Sequence, residues 1–270
     1  MEYKEIFNKL WEIYKLQNPS VTKIYRLFSS EGENIENDHI AFRTFNHPKT
    51  NIDILAKTFT NVGYHVAGEY FFKEKKLKAV HFENNSIEGA PKVFISELIL
   101  EQCSGFLRQT ITDLIEKIPV YELQRSDLIM AGNLFGKPSH TTYQKLREES
   151  EYAAWLYVYG FRANHFTVSV NSLKKFNTIE KVNHFLKNNG LKINLSGGEI
   201  KGTPEMLLQQ SSTLADIIEV EFLEGIFEIP ACYYEFALRY KDKNGELYNG
   251  FHEKSADKIF ESTNYYKNDA

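Results

Sequence analysis

The apolar positions of the first thirty residues recur at helical spacing. Tyr3, Ile6, Phe7, Leu10, Trp11 and Tyr14 form one stripe of an amphipathic helix over 3–16. Ser20 reads as the N-cap of a second helix that buries Val21, Ile24, Tyr25 and Phe28. At DHIAFRTF (38–45) the period falls to two. His39, Ala41, Arg43 and Phe45 take one face of a strand, and Ile40, Phe42 and Thr44 the other. A helix follows, with Ile52, Leu55, Ala56, Phe59 and Val62 on one stripe and Gly63 as its C-cap. Three strand-like runs come next, Tyr64–Lys73, Lys78–Glu83 and Lys92–Leu100. This segment reads β-α-β-β-β.

A helical stretch near Gly105–Ile118 and a loop-rich connector, Ala131–Thr142, lead to a helix over Tyr143–Tyr157. The order then recurs. FRANHFTVSVN (161–171) alternates, with His165, Thr167 and Ser169 on one face and Phe166, Val168 and Val170 on the other. A helix over Ile179–Asn189 ends at Gly190, and strands are expected at Leu191–Leu195, Ala215–Phe222 and Cys232–Tyr240, with Gly197-Gly198 as a turn. The pattern is that of an α+β chain, with two β-α-β-β-β segments and added helices. The expected organisation is a single domain over 1–270. Helices fill 1–37, the first module and its following helix 38–118, a connector and helix 119–159, and the second module with a C-terminal tail 160–270.

Composition narrows the class. The chain carries 32 Lys+Arg against 36 Asp+Glu, a net charge of −4, which gives no pull toward nucleic acid. Hydrophobic residues make up 42%, enough for a large core and too many for a disordered chain. Two cysteines, Cys103 and Cys232, form neither a disulfide framework nor a metal knuckle, and point to a reducing cytoplasm. The amphipathic start is not a signal peptide, and no apolar run is long enough to span a membrane.

The repeat carries candidate chemistry. Each copy opens on a strand with one inward-capable histidine, His39 or His165. Each closes on a strand with one glutamate among apolar residues, Glu97 in VFISELIL or Glu235 in YYEFALRY. Two imidazoles and a carboxylate held on stiff strands make a facial triad for a non-haem metal, with open positions for a chelating 2-oxo acid and O₂. Each residue also has a plain structural reading. Asp38 or Asn164 beside the histidines offers a hydrogen bond in a core, and Arg239 offers Glu235 an ion pair. Arg43 lies two pleats from His39, ~6.6–7 Å along the strand. There its fork suits the far carboxylate of a metal-bound dicarboxylate, or an ion pair with an acid such as Glu97. The remaining histidines, His47, His65, His81, His140, His184 and His252, read as surface or loop residues.

The chain resembles the 2-oxoadipate dioxygenase/decarboxylase (hydroxyglutarate synthase) family of the vicinal oxygen chelate superfamily. The resemblance rests on DHIAFRTF (38–45), KVFISEL (92–98), PSHTTYQKLREESEYAAWLYVYGFRANHFTVSVN (138–171), YYEFALR (233–239) and GFHEKSADKIFESTN (250–264). It implies an α+β fold of paired βαβββ modules forming a curved, mostly antiparallel mixed sheet around a metal, with ligands His39, His165 and Glu235 and a substrate-clamping Arg43. It implies Fe(II), although the same donors suit Zn, Mn, Co or Ni. The implied reaction consumes 2-oxoadipate and O₂ and yields 2-hydroxyglutarate and CO₂. Characterised members of the family are longer. By repeat symmetry Glu97 matches Glu235, and a role supporting the site or pairing Arg43 is expected for it. Ser262 and Thr263 belong to the family-like tail. Two other classes fit the same scaffold. One is a redox-neutral glyoxalase-like lyase or isomerase with Glu97 as fourth ligand, and the other is a non-catalytic small-ligand binder.

Overall fold

The computed structural model describes residues 2–263. The strands are β1 Asn37–Phe45, β2 His65–Phe72, β3 Leu77–Glu83, β4 Lys92–Leu98, β5 Ala163–Ser169, β6 Lys201–Thr203, β7 Leu208–Ser212, β8 Ile217–Phe222, β9 Gly225–Pro230 and β10 Tyr233–Arg239. The helices are α1 Tyr3–Gln17, α2 Pro19–Ser30, α3 Ile52–Thr60, α4 Gly105–Glu116, α5 Val120–Leu123, α6 His140–Glu149, α7 Glu151–Tyr159, α8 Ile179–Asn188 and α9 Glu253–Phe260. Asn264, the last residue of the tail motif, lies outside the described residues. None of the described helices is long and apolar enough to cross a membrane.

The chain divides into two compact units. One takes the described residues up to Tyr14, with Ala41–Asn164 and Ile217–Ile229. The other takes Lys15–Ile40, His165–Asp216 and the residues from Pro230 on. Strand β1 therefore contributes its second half to the first unit and its first half to the second.

In the first unit the strands run in the order β2-β3-β4-β1, with both β2–β3 and β3–β4 antiparallel. This is the β-α-β-β-β unit read from the sequence, α3 being its helix. Asn51 caps α3 by accepting from Ile54 N at 3.1 Å. Phe59 of α3 packs against Phe42 of β1, ring centroids 5.4 Å apart. The helix expected over Tyr143–Tyr157 is two helices. Ser150 breaks it and then caps α7, its hydroxyl accepting from Ala153 N.

In the second unit the order is β1-β5-β10-β7-β6, so β5-α8-β6-β7-β10 repeats the same order of elements. Here β10 is parallel to β5 and antiparallel to β7. Phe28 of α2 sits against Phe236 of β10 and Phe185 of α8, with centroids 6.1 and 5.3 Å away, and closes one face of the sheet with rings. Alternation then sends Glu235, beside Phe236, to the opposite face.

Three sequence expectations change. Leu191–Leu195 is not a strand. The inner strands of the second module are β6 and β7 instead, whose KGT and LQQSS sequences carry little of the aromatic and β-branched signature of a strand. Ala215–Phe222 supplies β8, which pairs only with β9 in a separate two-stranded sheet. The second helix starts at Pro19 with Asn18 as N-cap residue, because proline's fixed φ suits the first helical position.

Candidate metal centre

The strand register of the second unit brings the candidate ligands together. Glu235 of β10 pairs with Thr167 of β5, and Tyr233 with His165, so His165 and Glu235 share a face. His39 comes from β1, the next strand beyond β5. One donor atom from each of His39, His165 and Glu235 lies within 4.8 Å of the other two, and all three residues are buried. His165 Nε2 is 3.1 Å from Glu235 Oε2, and His39 Nε2 is 3.6 Å from Oε1. Adjacent donors around one ion with bonds of ~2.1 Å are ~3.0 Å apart, so the spacing fits a single divalent cation.

Each donor is oriented. Asp38 Oδ1 accepts from His39 Nδ1 at 2.7 Å, which leaves the Nε2 lone pair for a cation. Arg239 locks Asp38, with Nε 2.6 Å from Oδ2 and Nη2 2.9 Å from Oδ1. Its Nη1 donates to the carbonyls of Tyr248 and Gly250. The ring of His165 stacks on Tyr233 at 4.7 Å, and that of His39 meets Phe251 edge-on at 4.8 Å. Gln210 Nε2 donates to Glu235 Oε1 at 2.6 Å. Thr167 Oγ1 lies 3.1 Å from His39 Nε2.

The electrostatics favour anions at two carboxylates. Burial works against ionisation of Glu235. The His39 and His165 rings beside it, with the hydrogen bonds from His165 and Gln210, outweigh burial and hold its carboxyl below the usual range. Burial also opposes the Asp38 anion, but Arg239 and His39 depress its carboxyl strongly. Burial lowers the Arg239 guanidinium, and the Asp38 anion more than restores it. A buried carboxylate between two imidazoles is costly unless a cation joins it. The donor set, its enclosure and its oriented tautomer fit a metal ion.

The other candidates have partners of their own. Arg43, in the first unit, donates from Nη1 to Glu151 Oε1 at 3.0 Å, and its guanidinium lies over the Tyr152 and Trp155 rings. Glu97 does not pair with it. Glu97 Oε2 accepts from Ile52 N at the start of α3, and burial raises its carboxyl. Arg239 pairs with Asp38 rather than with Glu235. His81 is a buried residue, not a surface one, and its ring nitrogens contact Tyr70 and Glu83. His140 is the first residue of α6 and stacks on Phe227. Ser262 is buried and hydrogen-bonded to Ser212 and Asn194. Gln210 and Lys201 were not singled out by sequence, because an isolated polar residue on a short strand carries no periodic signal.

Known proteins share this architecture. The sequence profile of the 2-oxoadipate dioxygenase/decarboxylase family matches residues 6–247. The chloroplastic 2-oxoadipate dioxygenase/decarboxylase of Arabidopsis thaliana is 36% identical, over 97% of this chain and 77% of its own. The crystal structure of the Oryza sativa hydroxyglutarate synthase in complex with 2-oxoadipate superposes with a TM-score of 0.91 at 34% identity. That match covers 97% of this chain and 91% of that one. A crystal structure from Shewanella frigidimarina, designated only provisionally as a hydrolase, is 48% identical with a TM-score of 0.87. It covers 92% of this chain and 96% of its own. The repeat order and the profile match agree: the chain belongs to the 2-oxoadipate dioxygenase/decarboxylase family.

Proposed function

We propose that the protein is an Fe(II)-dependent dioxygenase that decarboxylates a 2-oxo dicarboxylic acid, converting 2-oxoadipate and O₂ to 2-hydroxyglutarate and CO₂. The observation that carries this reading is the buried His39, His165 and Glu235 cluster with its oriented tautomer, in a chain of this family. Three protein donors leave positions for a bidentate 2-oxo acid and for O₂. Bound iron supplies the template and the redox chemistry that a protein side chain lacks.

The chain's own residues do the rest. His39 and His165 present neutral nitrogens, and Asp38 keeps the His39 proton on Nδ1. Glu235 adds one negative charge, and Gln210 fixes its carboxylate. Tyr233 and Phe251 wall the histidine rings and keep bulk water from the donors. Arg43 supplies a buried guanidinium four residues along β1 from His39, and we assign it to the distal carboxylate of the substrate. Glu151 is its partner in the structure. Two unbridged thiols, Cys103 and Cys232, suit a reducing cytoplasm.

Product analysis tests the reading. Protein reconstituted with Fe(II) and given 2-oxoadipate in air should form 2-hydroxyglutarate and CO₂ in equal amounts. Products of a rearrangement without O₂ would instead favour the redox-neutral lyase.

A further inference from the structure

We infer that Arg239 is a positioning residue that couples metal binding at His39 to closure of a strap, residues 241–251, onto the metal centre. The inference rests on the metal binding in the proposed function, and not on the identity of the metal or the reaction. Arg239 ends β10, and its backbone is pinned. Asn171 Oδ1 accepts from Arg239 N at 2.9 Å, and Asn171 Nδ2 donates to the Arg239 carbonyl at 2.8 Å. Its side chain is 5% exposed and reaches two ways. Nε and Nη2 hold Asp38, which accepts from Nδ1 of His39. Nη1 donates to the carbonyls of Tyr248 at 2.9 Å and Gly250 at 2.8 Å. The guanidinium also lies over the Phe251 ring, 5.0 Å from its centroid, and that ring meets His39 edge-on. One side chain thus grips a candidate ligand through Asp38, and the strap through two carbonyls and a ring.

The strap has few other ties. Among the described residues, the hydrogen bonds that leave 241–250 end on Arg239, on its neighbour Tyr240 and on Phe251. Beyond these, Tyr248 stacks on His252 at 5.0 Å. Residues 243–247 are exposed, and the turn they make is closed by Asp242 from within the strap. A segment with so few outside contacts opens locally at low cost. A cation on His39 Nε2 fixes the ring and makes its Nδ1–H a stronger donor, which tightens the hold on Asp38. A fixed Asp38 keeps Arg239 aligned on the strap carbonyls. Coupling of this kind is reciprocal, so the closed strap in turn raises metal affinity.

Limited trypsin digestion reads the strap directly. Lys243 lies on its exposed turn, and Lys73, on the exposed turn between β2 and β3, is the internal reference. Saturating Zn(II) should slow cutting after Lys243 about tenfold and leave cutting after Lys73 unchanged. Protein nicked at Lys243 should bind Zn(II) about tenfold more weakly in chelator competition. R239K keeps a charge for Asp38 but loses the fork that also reaches the strap carbonyls, so Lys243 should be cut fast with or without bound Zn(II). The first two measurements need no variant, and they stand if R239K does not fold. The inference is overturned by equal cutting after Lys243 in metal-free and loaded protein, by no cutting there in either, or by equal slowing at Lys73. Undiminished metal affinity in the nicked protein, or full protection in R239K, also overturns it. Protein that holds Zn(II) without this protection fails the inference alone, whereas protein that takes up no metal fails the metal centre as well.

Discussion

Arg239 grips Asp38 with two nitrogens, 2.6 and 2.9 Å from its oxygens, while Asp38 Oδ1 also takes the His39 Nδ1 proton. The pair joins residues 201 positions apart and sets which nitrogen of His39 faces the other donors. Asp38→Asn keeps an acceptor for His39 but removes the charge that Arg239 needs. Divalent-metal affinity should fall about 10–100-fold, read by chelator competition. Stability should fall by about 3–5 kcal/mol in urea, because the Arg239 guanidinium stays buried without its anion.

The same pair gives the protein an acid limit. The folded Asp38 carboxyl is depressed below its unfolded value of ~3.9. In that range the unfolded chain binds more protons than the folded one, so stability falls as pH falls. The contribution is complete above about pH 5 and is lost as pH drops through 4 toward the folded value. Depression of Glu235 acts in the same direction. Between pH 5 and pH 3 the Tm of the unaltered protein should drop more steeply than that of Asp38→Asn. Parallel curves would contradict this.

Glu97 and Glu235 occupy matching places in the two copies, yet only Glu235 meets histidines. Glu97 accepts from the backbone of Ile52 at 3.0 Å. Metal analysis after loading should find Glu97→Gln with the same stoichiometry as the unaltered protein, and Glu235→Gln strongly depleted. Depletion in Glu97→Gln would restore it as a fourth ligand.

Tyr152 ties β1 to β4 within the first unit. Its buried hydroxyl accepts from Thr44 N at 3.0 Å and donates to the Ser96 carbonyl at 2.7 Å. Tyr152→Phe strands these buried groups and should cost about 1–3 kcal/mol in equilibrium denaturation.

The first module was legible because β1, β3 and β4 run for seven to nine residues and are rich in aromatic and branched residues. The second was legible only at its ends, β5 and β10. Between them, β6 and β7 turn Lys201, Gln210 and Ser212 toward the polar face, so their sequences resemble a loop. The β8–β9 hairpin also interrupts the repeat there. Of the candidate site, His39, His165 and Glu235 were visible as polar residues within strand-like runs, and the family resemblance made them a ligand set. The choice of Asp38 over Glu235 as the partner of Arg239 was not visible. It depends on which side chains β1 and β10 present to each other, and spacing within one strand does not carry that.

The most direct measurement is O₂ uptake by Fe(II)-loaded protein, held anaerobic until it is mixed with 2-oxoadipate. Uptake should require both iron and the 2-oxo acid, with one O₂ consumed for each CO₂ released, and His165→Ala should abolish it. No uptake from protein shown to hold iron, across a panel of 2-oxo acids, would contradict the oxygenase reading and leave a redox-neutral enzyme or a binder.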